Sequence, residues 1–98
     1  MFVFLYSDVK KFNGVIVTLE HRYYGKSQPF DSWTTENLQF LSSKQAIFDL
    51  AHFVNWFRES FEKSQNVSNT KIFNIGCSYS GALSGKCLIQ KFDFCFRN

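Results

Sequence analysis

An α/β fold with parallel strands is predicted for this 98-residue chain by three observations. Two short β-branched and apolar runs, Gly14–Leu19 and Lys71–Cys77, suit strands buried on both faces. One long amphipathic pattern lies between them. The second run ends at a serine set among small residues, with a helix-compatible stretch behind it. Two strands joined by a helix make a right-handed crossover in a parallel sheet. The full predicted order is strand, loop, helix, strand, sharp turn, helix.

The first strand runs into Glu20–Pro29, a polar stretch in which Gly25 and Pro29 mark a loop. Asp31–Thr35 reads as further irregular chain. Ser42 and Gln45 have capping-box spacing, which places a helix start at Ser42. Ile47, Leu50, Val54, Phe57 and Phe61 then recur at steps of three and four and make one apolar stripe. Asp49, Asn55, Glu59 and Glu62 fall off that stripe, and the pattern ends near Lys63. Ser64–Thr70 is a polar connection. It carries Asn66-Val67-Ser68, a glycosylation sequon that has meaning on the secretory route. The second helix is predicted over Ser80–Phe92, with Ala82, Leu83, Leu88 and Ile89 as its apolar contacts.

Composition narrows the function classes. The net charge is +3, and no basic run exceeds the pair Lys10-Lys11, which argues against a nucleic-acid groove. No apolar run approaches the roughly 20 residues that span a bilayer. Met1–Tyr6 lacks the basic leader and cleavage site of a signal peptide. Cys77, Cys87 and Cys95 have no metal-ligand spacing, so no metal or other cofactor is expected. Cys77 reads as a small buried residue beside the turn, while the pairing of Cys87 and Cys95 stays open. Thirteen phenylalanines on so short a chain suggest that part of it packs against further structure.

The chemistry concentrates at Asn74–Gly81. A strand, a tight turn and an exposed serine form a nucleophile elbow, which needs little side-chain bulk two residues either side of that serine. Gly76 and Ser80 meet this around Ser78; Ser80 departs from the strict glycine, and Gly81 follows at once. An ordinary strand-to-helix turn is the plain alternative. A serine becomes nucleophilic when a histidine takes its proton and an acid orients that histidine. In this architecture the acid and then the histidine follow the serine. Asp93 follows Ser78, whereas His21 and His52 both precede it. The triad is therefore not expected to close within these residues. His21 reads as an imidazole hydrogen-bonded beside Glu20 or Arg22, and His52 as structural. Glu20 and Arg22 either pair to hold the loop or are solvated, and Tyr23 and Tyr24 either line a pocket or pack.

Three segments carry a family resemblance. Glu20–Phe30 (Glu20-His21-Arg22-Tyr23-Tyr24-Gly25 at its head), Leu41–Asp49 and Gly76–Ser84 resemble, in order, signature segments of the prolyl carboxypeptidase family of serine peptidases. That family includes lysosomal dipeptidyl peptidases and the thymus-specific serine protease. The likeness covers about residues 14–84, within one domain fragment spanning 1–98. It implies a partial α/β-hydrolase core, Ser78 as nucleophile and the Tyr79 N–H as an oxyanion donor. It also implies a proline-containing peptide substrate and a lysosomal or secreted location. Residues 85–98 depart from the family pattern. Amino- and carboxyl-terminal trimming both fit this reading, and oligomeric state is left open. An inactive, truncated or binding module of the same fold is the alternative function. An esterase or lipase would share the elbow but leaves the Glu20–Pro29 signature without a reason.

Overall fold

The computed structural model describes residues 13–89. Its central element is α1, Ser43–Gln65, a helix of 23 residues. Ser42 caps it in extended backbone, its hydroxyl accepting the Gln45 N–H at 3.2 Å. The reciprocal half of the expected capping box is not used, because the Ser42 N–H donates to the Phe40 carbonyl instead. Just before Ser42, Asn37–Phe40 forms a single 3-10 turn closed by the Leu41 N–H on the Leu38 carbonyl at 2.9 Å, where the sequence reading had assigned no element. At the other end Asn66 takes the left-handed conformation (φ 51°, ψ 43°), and its N–H bonds the Glu62 carbonyl. Asparagine tolerates that conformation better than most residues, so it stops the helix at small cost.

Ala46, Ile47, Leu50, Ala51 and Val54 form the buried face of α1. The core joins most of that face to Leu83 and Cys87 of the second helix, α2 (Tyr79–Ile89), with Leu19 and Ile72 packed against it. Each large aliphatic side chain so buried contributes about 1.5–3 kcal/mol. The expected stripe is shortened by two residues. Phe57 and Phe61 are only half-buried and stack along α1 with Phe53, at centroid spacings of 6.1 and 5.6 Å. On α2, Ala82 faces solvent, while Leu83, Ser84 and Cys87 turn inward. Cys87 is disulfide-bonded; Cys95, Asp93 and the rest of the expected helix to Phe92 lie outside the described residues. Cys77 is exposed with a free thiol, contrary to the buried role read for it.

Among the described residues no strand is assigned. The segment 71–76 nevertheless alternates: Ile72, Asn74 and Gly76 are half-buried, and Lys71, Phe73 and Ile75 are exposed. A period of two is the side-chain geometry of a strand. A ladder also needs a hydrogen-bonding neighbour on at least one side, and the segments 14–19 and 71–77 do not provide one for each other. Phe73, at 72% exposure, and Val15, at 61%, lie bare on this side.

Candidate functional site

The run 71–77 delivers the chain to Ser78, which sits exposed in the left-handed region at φ 56°. A non-glycine residue held there costs on the order of 1–3 kcal/mol, and such residues cluster at functional sites. Two features hold the turn. The Ser80 hydroxyl accepts the Cys77 N–H at 2.9 Å and donates to the Cys77 carbonyl at 2.8 Å. The backbone of α2 also crosses Gly76 so closely that a Cβ there would overlap the Ser80 carbonyl, and one on Gly81 would lie 2.9 Å from the Gly76 oxygen. This accounts for the departure from the strict elbow pattern. The close approach falls on Gly76 and Gly81, while the Ser80 side chain turns inward and ties the turn.

Ser78 precedes the first residue of α2, and the Ala82 N–H returns to its carbonyl at 3.1 Å. Tyr79 opens the helix, so its N–H is among the donors a helix leaves without an internal partner. The positive end of the helix dipole faces the same place. A developing negative charge on an oxygen beside Ser78 would be stabilised there.

Ser78 lies in a cleft of about 790 Å³ whose walls include Tyr79, Cys77, His21, Tyr24, Arg22 and Asp49. The loop after residue 19 supplies much of that wall, and its side chains pair differently from the expectation. Glu20 and Arg22 do not pair with each other. Glu20 instead folds back inside its own loop and accepts the Ser27 hydroxyl at 2.8 Å and the Lys26 and Ser27 N–H groups at 3.0 and 2.9 Å. The Ser27 hydroxyl, foremost, holds the Glu20 carboxyl below its ordinary range, aided by those N–H groups and the Lys26 charge and opposed by desolvation. Gly25 turns with φ 53°, and a Cβ there would run into the Glu20 carboxylate.

Arg22 reaches across 27 residues to Asp49 on α1. Its Nε and Nη2 donate to Oδ2 and Oδ1 at 2.6 and 2.7 Å, and Nη1 donates to the Phe40 carbonyl at 3.1 Å. The Asp49 hydrogen bonds push the Arg22 guanidinium further above its already high range. Sequence reasoning placed Asp49 off the apolar stripe and gave it no partner. Its place nearly two turns inside the helix start, within the segment Leu41–Asp49, was the available signal.

Tyr23 is the packed tyrosine of the pair: it is 5% exposed, has φ 67°, and donates its hydroxyl to the Asn37 carbonyl. Tyr24 is the one that lines the cleft. His21 lies between Tyr24 and Tyr79, at ring spacings of 5.2 and 5.8 Å. Its Nδ1 is 2.7 Å from the Arg22 carbonyl. A carbonyl only accepts, so that nitrogen carries a proton, and in the neutral ring Nε2 then presents a lone pair. Nε2 is buried without a partner among the described residues. His52 is exposed on α1 and stands outside the cleft wall. The geometry thus assembles an elbow serine, a helix-start N–H and an aromatic wall, with no histidine bonded to Ser78 among the described residues.

Comparison with known proteins points the same way. A family model described as serine carboxypeptidase S28 matches residues 4–91. The chain is 56% identical over 79 residues to a probable serine protease, EDA2, of Arabidopsis thaliana, covering 76% of this chain and 16% of that protein. It is 38% identical over 84 residues to prolyl carboxy peptidase like protein 5 of Caenorhabditis elegans, covering 83% and 16%. It is 32% identical over 84 residues to a lysosomal Pro-X carboxypeptidase of Pongo abelii, again covering 83% and 16%. The chain therefore spans about a sixth of the length of these relatives. No solved structure matches it.

Proposed function

Because this chain belongs to the serine carboxypeptidase S28 family, we propose that it carries the nucleophile end of a serine exopeptidase that cuts peptides near proline. The observation that carries this reading is Ser78 itself: exposed, left-handed, at the start of a helix and in a cleft. In the proposed reaction Ser78 Oγ bonds to the scissile carbonyl carbon while its proton passes to a histidine base. The displaced π pair collects on the carbonyl oxygen, facing the Tyr79 N–H. The C–N bond then breaks, the amine leaves with the proton, and water hydrolyses the acyl-enzyme in the reverse order of roles. One oriented oxyanion donor of this kind is worth about 2.7–4 kcal/mol. The acid and the histidine belong, in this proposal, to the remaining length of an S28 protein.

An α/β-hydrolase core completes the proposal. The segments 14–19 and 71–77 would enter a parallel sheet, which supplies the hydrogen-bonding neighbours they lack and covers Val15 and Phe73. His21, Tyr24 and Tyr79 would present ring faces to the substrate beside the serine. A lysosomal or secreted location is part of the reading, supported by relatives named as lysosomal. No helix among the described residues is long and apolar enough to cross a membrane.

The test is a substrate comparison with the intact protein. Peptides carrying proline just inside the carboxyl terminus, peptides with proline second from the amino terminus, and short acyl esters are offered in parallel. Release of a carboxyl-terminal residue after proline is expected. Amino-terminal dipeptide release would reassign the exopeptidase type, and ester cleavage alone would replace the peptidase reading. The second reading, a non-catalytic module of the fold, draws on both histidines preceding Ser78; hydrolysis of none of the three would favour it.

A further inference from the structure

The sequon at Asn66-Val67-Ser68 plays no part in the cleft, yet its structural setting is specific. Asn66 is the residue that ends α1, in left-handed backbone whose N–H is engaged with Glu62. The Val67 N–H shares that carbonyl at 3.1 Å. The backbone here is fixed, while the Asn66 carboxamide and the Ser68 hydroxyl both stand in solvent. Their neighbours Lys63, Ser64, Gln65 and Asn69 are exposed and polar as well. From Ser68 the chain continues outside any helix until Tyr79, so a modifying enzyme meets a loop and not a packed surface.

We propose that Asn66 is an N-glycosylation site, modified by transfer from a lipid-pyrophosphate-linked oligosaccharide. The Asn66 Nδ2 forms a bond to the anomeric carbon of the first sugar as the bond from that carbon to the pyrophosphate oxygen breaks. The lipid pyrophosphate leaves with the electron pair, and the amide gives up one proton. Ser68 supplies the hydroxyl that the acceptor sequence requires two residues on. The position is compatible with activity. Leu50, in the cleft wall, lies sixteen residues back along α1, about 24 Å at the helical rise. The attachment point therefore stands about 24 Å from that wall residue and is itself no part of the cleft lining. The inference rests on the lysosomal or secreted location proposed above and not on catalysis.

The intact protein, isolated from secretory-route membranes or medium of its source or of a eukaryotic host, is treated with a glycan-releasing amidase in heavy-oxygen water. It is then cut with trypsin. The peptide Ser64–Lys71 should carry a mass-tagged Asp at position 66, with Asn69 in the same peptide untouched. Asn66→Gln and Ser68→Ala should each abolish the tag and the accompanying gel shift, and Ser68→Thr should keep both. Hydrolysis by Ser68→Ala should be unchanged. Recovery of the peptide with an untagged Asn66 from secreted protein would overturn the assignment, as would recovery of the protein from the cytosol alone. Activity is read separately, so loss of the glycan and loss of the peptidase reading remain distinguishable.

Discussion

Arg22 and Asp49 close a two-pronged ion pair between the loop that walls the cleft and the helix that forms the core, with both contacts at 2.6–2.7 Å. The pair is only partly shielded, Asp49 keeping 39% of its side-chain surface, so its stabilisation is discounted toward that of a surface bridge. Asp49→Asn should lower stability of the intact protein by about 1 kcal/mol, read as a shift in urea midpoint. Arg22→Lys keeps the charge but loses the fork and the Phe40 contact. It should cost a similar amount and raise KM more than it lowers kcat. A fall in kcat with KM unchanged would place Arg22 in the chemical step instead.

Two glycines of the elbow region should respond in opposite directions. Gly76→Ala drives a Cβ into the Ser80 carbonyl, and backbone on both sides cannot yield without moving α2. It should cost at least about 2 kcal/mol and disturb Ser78. Gly85, inside α2, has nothing within 4 Å of its Cβ position. Gly85→Ala should therefore stabilise by about 0.5–1 kcal/mol. Thermal unfolding of the two variants beside wild type reads both signs at once.

The Glu20 loop should loosen in acid. Hydrogen bonds from Ser27 and Lys26 hold the folded carboxyl below its ordinary value of 4.5. A lowered folded value means that the contribution is complete above 4.5 and is lost as pH falls through the folded value. Amide exchange at Lys26 and Ser27, corrected for intrinsic rate, should be flat from neutral pH to about 5 and rise below the ordinary carboxylate range. Glu20→Gln should abolish that rise.

The Ser80 tie is separately testable. Ser80→Ala removes both hydrogen bonds to Cys77 and should cost about 1 kcal/mol, as loss of a helix cap does. Ser80→Gly restores the strict elbow pattern without restoring the tie. It should be no more stable than the alanine variant, in a urea series, if the hydroxyl is what holds the turn.

What could be read from the sequence was whatever depends on local pattern. Ser42, the Ile47–Leu50–Val54 face and the serine after an apolar run were all visible, because caps, helical periods and tight turns are written in neighbouring residues. The Arg22–Asp49 pair and the Gly76–Ser80 approach were not visible as contacts, since each depends on how two elements meet. Phe57 and Phe61 fit the helical period, yet nothing among the described residues covers them fully. The Asn37–Phe40 turn escaped because one 3-10 turn is too short to show a period. The sheet remains a proposal: the alternation at 71–76 is local, but a ladder needs partners from elsewhere in the chain.

The central claim is that Ser78 is the nucleophile, and covalent labelling tests it most directly. The intact protein is exposed to a fluorophosphonate, digested, and its Ile72–Lys86 peptide is sequenced by mass spectrometry. The account predicts one phosphonylated residue, Ser78. It also predicts no label in a folded Ser78→Ala variant, whose hydrolysis should fall by at least about 10⁴-fold. Label on another serine, or undiminished labelling of Ser78→Ala, would contradict it.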